Sequence, residues 1–530
     1  MIGAERVCDA DPDLLGALVD KSLLVLGPDG RYRMLETIRE YGLERLAAAG
    51  ETESQRLALT GYLLALASEA EPRLRSGDQL VWLRRLSEEH DNFHYAVRAA
   101  IDAGDRATAA ALVARLGWYW WLRGHRQEGT ALSGEVGAMS GPAAPEDLAL
   151  THTFAALNGL EGELPIDEVQ AAFFRAEECA AGVESRHPAL RLLHPLVVIF
   201  TAEGQDVGFA MVEPLYDDPD GWLRAIARLI VAQLRINFGQ SPEVANAEMR
   251  EALAGFREIG ERWGIGFSLS GLAEMAAAQG DFAQAVRWLR EAVALVAEVG
   301  LREELPQLEA RMAHHLWMAG ESAEARRMLK QARESVEEIG SPDVLTGVEY
   351  SYAAFARAHG DLEGARLGMA RVAAMLDERD HRTFVPQFRA MIRSQQGLVE
   401  AGGGDLDLAE EHHLAALRLA ADSRDSPVIA LALVGAADLA LRRGDPAQAA
   451  YLLGAADSVR GTRDRSVPDV EPITFEARAA LGDAGFEAAY HRGDGVTLAT
   501  ALAASGLDPT AERPDGGRGE DDQQDARPDQ

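Results

Sequence analysis

A glycine followed by a polar residue returns at a nearly constant interval through the second half of the chain. The copies are Gly280-Asp281, Gly320-Glu321, Gly360-Asp361, Gly404-Asp405 and Gly444-Asp445, spaced 40, 40, 44 and 40 residues apart. Weaker copies carry the pattern back through Gly239-Gln240, Gly204-Gln205, Gly162-Glu163 and Gly124-His125. A fixed period of this length is the mark of one supersecondary unit used again and again. Each anchor lies between two helical patterns. Glycine ends the first helix because it enters the left-handed region without a Cβ penalty, and the acid after it caps or charges the start of the second. Five residues past each strong anchor stands Ala285, Ala325, Ala365, Ala409 or Ala449; twelve past stands Ala292, Ala332, Val372, Ala416 or Ala456. Small side chains seven apart on one face let the second helix press against the first.

The unit "GDFAQAVRWLREAV" (280–293) resembles the tetratricopeptide repeat in its turn glycine, in Phe282 and in Ala285 and Ala292. The period is nearer 40 than the family's roughly 34, and the proline that usually ends the second helix is missing. Helices of about 18 residues, roughly 27 Å long, account for both departures. The resemblance implies an all-α, right-handed solenoid over 106–460, with Gly280, Gly320, Gly360, Gly404 and Gly444 as repeat turns. In such an array each unit touches only its neighbours. Its product is an inner groove suited to a protein partner or a small effector.

Composition agrees with helices. The chain is 47% apolar but 6% aromatic, with alanine the main filler, and alanine favours close-packed helices. The net charge of −33 makes nucleic acid a poor partner. Cys8 and Cys179 have no paired spacing, which suits a reducing compartment. No secretory h-region and no apolar run of membrane-spanning length is present. The expectation is a cytoplasmic protein with no membrane contact.

The opening reads differently. "DPDLLGALVDKSLLVL" (11–26) is a helix running into a strand, "GPDG" (27–30) a turn, "RYRML" (31–35) a return strand, and "ETIREYGLERLAAAG" (36–50) a helix stopped at Gly50. Helix, hairpin, helix resembles the second half of a winged-helix domain. "LVDKSLL", "GRYRMLETIREYGLERL", "EPRLRSGDQLVWLRRLSEEHDNFHYAVRAA" and "LGWYWWLRGH" resemble the segment after the nucleotide-binding module in large bacterial signal-transduction ATPase regulators of the antibiotic-regulator and LuxR-like types. In that family an effector domain and a P-loop ATPase precede the winged helix and a tetratricopeptide-like arm. The resemblance therefore implies a partial winged helix (1–50), a helical connector (51–105), the repeat arm (106–460), capping helices (461–506) and an acidic disordered tail (507–530). It also implies a separate ATPase module as a neighbour of the winged helix.

No cofactor is expected. Lys21-Ser22 is the one Lys followed by Ser or Thr, but Leu15 and Asp20 stand where a P-loop needs glycines. Related modules often end their winged helix in Met-His-Asp, whose His reaches bound ADP; here the positions read Met34, Leu35 and Glu36. The helix before the wing carries Asp11, Asp13 and Asp20, which speaks against DNA reading. With part of that domain missing, Leu14, Leu15, Leu18, Leu23, Leu35 and Ile38 are expected to be only partly covered.

Candidate contacts are the aromatics of "WYWW": Trp118, Tyr119, Trp120 and Trp121. At 100° per residue they sweep about 300° of a helix. Core filling competes with a role as groove anchors for a partner, and Trp118 and Trp121 share one face. His90 and His94 lie one turn apart, but no third metal ligand is evident, so packing is the favoured reading and no metal site is expected. His314-His315 and His412-His413 read as surface or repeat-packing residues. No catalytic constellation stands out, so the expected function is a non-catalytic sensing or protein-interaction arm. The alternative is a DNA-binding regulator acting through the winged helix.

Overall fold

The computed structural model describes residues 2–28, 30–160, 164–200, 205–339, 342–377, 386–496 and 498–504. Among these, strand is confined to one antiparallel hairpin, Val25–Leu26 with Tyr32–Arg33, where Val25 faces Arg33 and Leu26 faces Tyr32. The rest of the regular structure is helix, and the protein is all-α with a tetratricopeptide-like array of helix pairs. The turns at Gly162, Gly204 and Gly340 and the tail 507–530 lie outside the described residues.

Two compact units divide the chain. The first is Met1–Phe388 with Gly461–Pro468. Its opening helix Ile2–Cys8 lies on helix Thr52–Ala70, where Gly3 faces the Tyr62 ring. Asp11 caps helix Pro12–Asp20 by accepting from the Leu14 amide at 2.7 Å. After the hairpin, helix Glu36–Ala49 stops at Gly50, whose φ is 73°. The connector follows as Thr52–Ala70, a 3₁₀ turn Glu71–Arg75, Gln79–Glu88 and His90–Asp102.

Helix pairs then succeed one another: Arg106–Arg123 with Arg126–Ala138, Pro145–Leu160 with Ile166–Ala180, and Pro188–Phe200 with Gln205–Val212. The later pairs of this unit are Gly221–Asn237 with Pro242–Ile259, Arg262–Ala278 with Phe282–Val299, Leu305–Met318 with Ser322–Ile339, and Pro342–Ala358 with Leu362–Asp377. The turn chemistry repeats with them. Gly280 has φ 88°, and the Asp281 carboxylate accepts from the Gln284 amide at 3.0 Å, so the chain leaves one helix and starts the next within three residues. Gly320 and Gly360 adopt the same conformation. Ala285, Ala325 and Ala365, and their partners Ala292, Ala332 and Val372, are fully buried where second helix meets first.

Residues Gly461–Pro468, expected to open the capping helices, pack within the first unit instead. The Arg465 amide donates to the Ala278 carbonyl at 2.9 Å, and His314 Nε2 donates to the Ser466 carbonyl at 2.9 Å. Gly461 crosses the turn at Gly239 so closely that a Cβ there would stand 2.6 Å from the Gly239 carbonyl oxygen.

The second unit holds Arg389–Arg460 and Asp469–Gln530. It contains helices Leu406–Ser423, Ser426–Arg442 and Pro446–Arg460, with Gly404 and Gly444 at φ 91° and 83°. Helix Val470–His491 breaks at Gly482 (φ 71°, ψ 163°), and Leu498–Ala504 follows.

Candidate functional site

Helix Arg106–Arg123 packs against the connector, its own pair and the following pair, and its four consecutive aromatics face three directions. Trp118, Tyr119, Trp120 and Trp121 are 7, 0, 1 and 9% exposed. All four are buried in the core, the role that competes with groove anchoring for these side chains. Trp118 and Trp121 stack at 6.1 Å with their planes 7° apart. Trp222 and Trp263 meet Trp118 edge-on at 5.7 and 5.2 Å, and Trp263 also meets Trp121, geometries that the ring quadrupole favours. Trp120 turns instead to its own pair, over Gly129 of the next helix.

The Trp118 face overturns one expectation. Helices Gly221–Asn237 and Arg262–Ala278 belong to pairs well along the array, so the first pair does not touch its neighbours alone. Arg123, at the helix end, donates to the Val299 carbonyl at 2.7 Å and to Ser87 Oγ at 2.9 Å. Arg126 lies 4.8 Å over the Trp121 ring and pairs with Glu304 at 2.6 Å. Nearby, Gln79 and Glu261 are both fully buried and hydrogen-bonded to each other. The Glu261 carboxylate also accepts from the Trp263 and Gly264 amides at 3.2 and 2.6 Å, and Gln79 Oε1 accepts from the Arg262 amide at 3.0 Å. The first unit is thus closed by an aromatic seam between the start of the array and its fourth and fifth pairs.

Tyr119 faces the third direction, into a polar cluster. Its hydroxyl stands 3.2 Å from His90 Nδ1. His90 Nε2 lies 3.1 Å from Glu128 Oε2, and His94 Nδ1 donates to Glu128 Oε1 at 2.8 Å. His125, in the Gly124 turn, stacks on His90 at 4.2 Å with the planes 22° apart. Burial pushes the Tyr119 phenol up to about 12. The hydrogen bond to Glu128 raises His90, whereas burial, then the neighbouring His90, lowers His125. Burial acts to raise Glu128, but its bonds to His90 and His94 outweigh this and leave it below the usual carboxylate range. Sequence reasoning found His90 and His94 but missed His125 and Glu128, which only the fold brings across from the first repeat turn.

A cleft of about 720 Å³ lies beside helices Ile166–Ala180 and Pro188–Phe200, lined among others by Glu177, Val183, Arg186, Leu190, Arg191 and His194. Two of its charges are paired, Arg191 with Asp218 and His194 with Glu177. At the N-terminal end of the unit, of the six residues expected to be partly covered, Leu15 is buried. Leu18 and Ile38 are half-buried, and Leu14, Leu23 and Leu35 are exposed. Among the described residues no helix is long and apolar enough to cross a membrane.

No family model matches the chain. A stretch of 128 residues is 35% identical to proteins named, by inference, as HTH-type transcriptional regulators in Mycobacterium tuberculosis and Mycobacterium bovis. The match spans 23% of this chain and 14% of those relatives' length. Among solved structures, a Rap protein complexed with competence and sporulation factor is 15% identical, with a TM-score of 0.48 over 68% of this chain and 100% of that one. A signal-transduction ATPase with a tetratricopeptide repeat sensor, from Pyrococcus horikoshii, is 12% identical, with a TM-score of 0.42 over 93% of this chain and 62% of that one.

Proposed function

We propose that this chain is the sensing and protein-interaction arm of a transcriptional-regulator-like signalling ATPase, without catalysis of its own. The observation that carries this reading is the array of helix pairs itself: its turns, small-residue contacts and aromatic seam hold helices together and present surface. The 35% identical stretch shared with proteins named as transcriptional regulators supports the regulatory setting. The occupant is a protein partner or a small effector. The cleft beside Arg186 and His194 falls in the size range of small-molecule sites. The N-terminal helix-hairpin-helix, read as a partial winged helix, would meet a separate ATPase module through its exposed Leu14, Val25, Leu26 and Leu35.

The names of those relatives also favour a second reading, DNA binding through residues 1–50. Helix Pro12–Asp20 opposes it, with Asp13 in its first turn and no basic residue in its last. One experiment separates the two. The chain is screened in parallel against a displayed peptide library, duplex DNA at low salt, and ATP and ADP by calorimetry. Retained peptides without duplex or nucleotide binding support the interaction arm. Duplex retention that falls steeply with salt favours the second reading, and micromolar nucleotide affinity would sink the first.

A further inference from the structure

From the cluster at the first repeat turn we infer a transition-metal site, with His90, His125 and Glu128 as its ligands and His94 bonded to the carboxylate's other oxygen. The ligand atoms of His90, His125 and Glu128 all lie within 4.8 Å of one another. Around a tetrahedral Zn²⁺, ligand atoms at about 2.0–2.1 Å from the metal stand roughly 3.3 Å apart. His90 Nε2 and Glu128 Oε2, at 3.1 Å, already have that separation, and His94 holds the other carboxylate oxygen at 2.8 Å. A cation between His90 Nε2 and Glu128 Oε2 takes the place of the proton in that contact, while His94 keeps its bond to Oε1. His125 joins by tilting out of its stack on His90.

The surroundings fit a ligand set. A metal-bound imidazole usually anchors its other nitrogen in a hydrogen bond. Tyr119, held rigidly in the core, offers its hydroxyl at 3.2 Å to His90 Nδ1. With the metal on Nε2, Nδ1 carries the proton and donates to Tyr119, which fixes tautomer and ring orientation together. His90 and Glu128 are partly buried and His94 is half-exposed, which leaves a path from solvent. Imidazole nitrogen with one carboxylate suits Zn²⁺ and its late first-row neighbours better than Ca²⁺ or Mg²⁺, which prefer all-oxygen shells. The ligands come from the connector helix His90–Asp102 and from the turn and helix at Arg126–Ala138, so the ion would clip the connector to the start of the array.

The test uses the untagged full chain. Calorimetry with Zn²⁺ is expected to show one equivalent bound at micromolar or tighter affinity, and Co²⁺ to give the intense visible bands of a tetrahedral site. Glu128→Gln keeps the shape, and it and His90→Ala should each weaken Zn²⁺ at least ten-fold. His194→Ala, in the separate His194–Glu177 pair, should change nothing. Tyr119→Phe should weaken it less, with the metal-free melting point retained, as befits a positioning residue. Addition of Zn²⁺ at a concentration near the native affinity should raise the melting point of the native chain more than that of Glu128→Gln. Absence of binding overturns the site, and so does Zn²⁺ affinity that survives both Glu128→Gln and His90→Ala.

Discussion

Helices Glu36–Ala49 and Arg106–Arg123 both carry apolar side chains in helical register, yet their fates are opposite. The first, ETIREYGLERLAAA, has no buried residue; Tyr41 and Leu43 stand in the open and Ile38 and Leu46 are half-covered. The second is buried along most of its length from Ala109 to Leu122. Composition separates them only in part: seven of 14 residues are apolar in the first and 13 of 18 in the second. What differs is the number of elements that arrive: Arg106–Arg123 receives the connector, its own pair, the following pair and the remote Trp222 and Trp263, whereas Glu36–Ala49 leans on Thr52–Ala70. A residue's contribution here is set by what the rest of the chain brings to it.

The largest effect should therefore come from the seam. Trp118→Ala removes a side chain that touches Trp121, Trp222 and Trp263, and its loss should cost about 3–5 kcal/mol. Denaturant unfolding of the first unit, followed by tryptophan fluorescence, would read this. A loss below about 1 kcal/mol would mean that the seam is adherent surface and the array stands without it.

Next comes a pH effect at the same seam. Burial raises the Glu261 carboxyl from 4.5 to about 7, outweighing the Gly264 amide, Gln79 and the Trp263 amide, which all favour the charged form. The folded state thus holds this proton more tightly than the unfolded state. Its stabilisation is complete below about pH 4.5 and is lost as pH rises through about 7, on the order of 3 kcal/mol in all. Glu71, lowered to about 2 beside His187 and Arg75 although burial opposes it, behaves in the opposite sense. It contributes above about 4.5 and loses that contribution as pH falls towards 2, outside the same window. Melting of the native chain and of Glu261→Gln between pH 5 and pH 8 should show a steeper decline for the native chain. Parallel curves would show that Glu261 stays ionised.

Two glycines sharpen the comparison further. At Gly117 a Cβ would collide with the Phe154 ring, so Gly117→Ala should cost about 1–3 kcal/mol through overpacking. Gly360 has open space around it and φ 81°, so Gly360→Ala should cost only the conformational penalty, about 1 kcal/mol. Chemical denaturation ranks the pair, and the reverse order would mean that Phe154 repacks freely.

These cases also mark what was legible beforehand. The turns at Gly280, Gly320, Gly360, Gly404 and Gly444 follow from local chemistry, since left-handed backbone and an acid at the next position act within one turn. The hairpin at 25–33 was legible for the same reason. The seam was not, because a 40-residue period describes how neighbours meet and contains nothing about the first pair meeting the fourth and fifth. The run at 118–121 pointed to the place without naming Trp222 and Trp263 as its partners. The same gap hid Glu128 and His125: His90 and His94 share a helix face by spacing alone, but what faces them is decided by how two helices pack.

The smallest stability effect belongs to the exposed helix, and there stability and function should part. Leu35 and Leu43 are 60% and 48% exposed, so Leu35→Gln with Leu43→Gln removes little buried area. Exposed positions away from caps and cores usually shift stability within about 0.5 kcal/mol, and the melting point should stay nearly unchanged. Solubility should rise, because Leu14, Val25, Leu26, Leu35 and Leu43 are exposed apolar side chains close together in sequence, and such a surface is either a docking site or a liability. Light scattering at rising concentration measures that gain. If the double variant instead unfolds the first unit, residues 36–49 belong to its core after all, and the contrast with Arg106–Arg123 collapses. If it melts like the native chain but self-associates equally, the apolar side chains are ordinary surface and the docking role proposed for them fails.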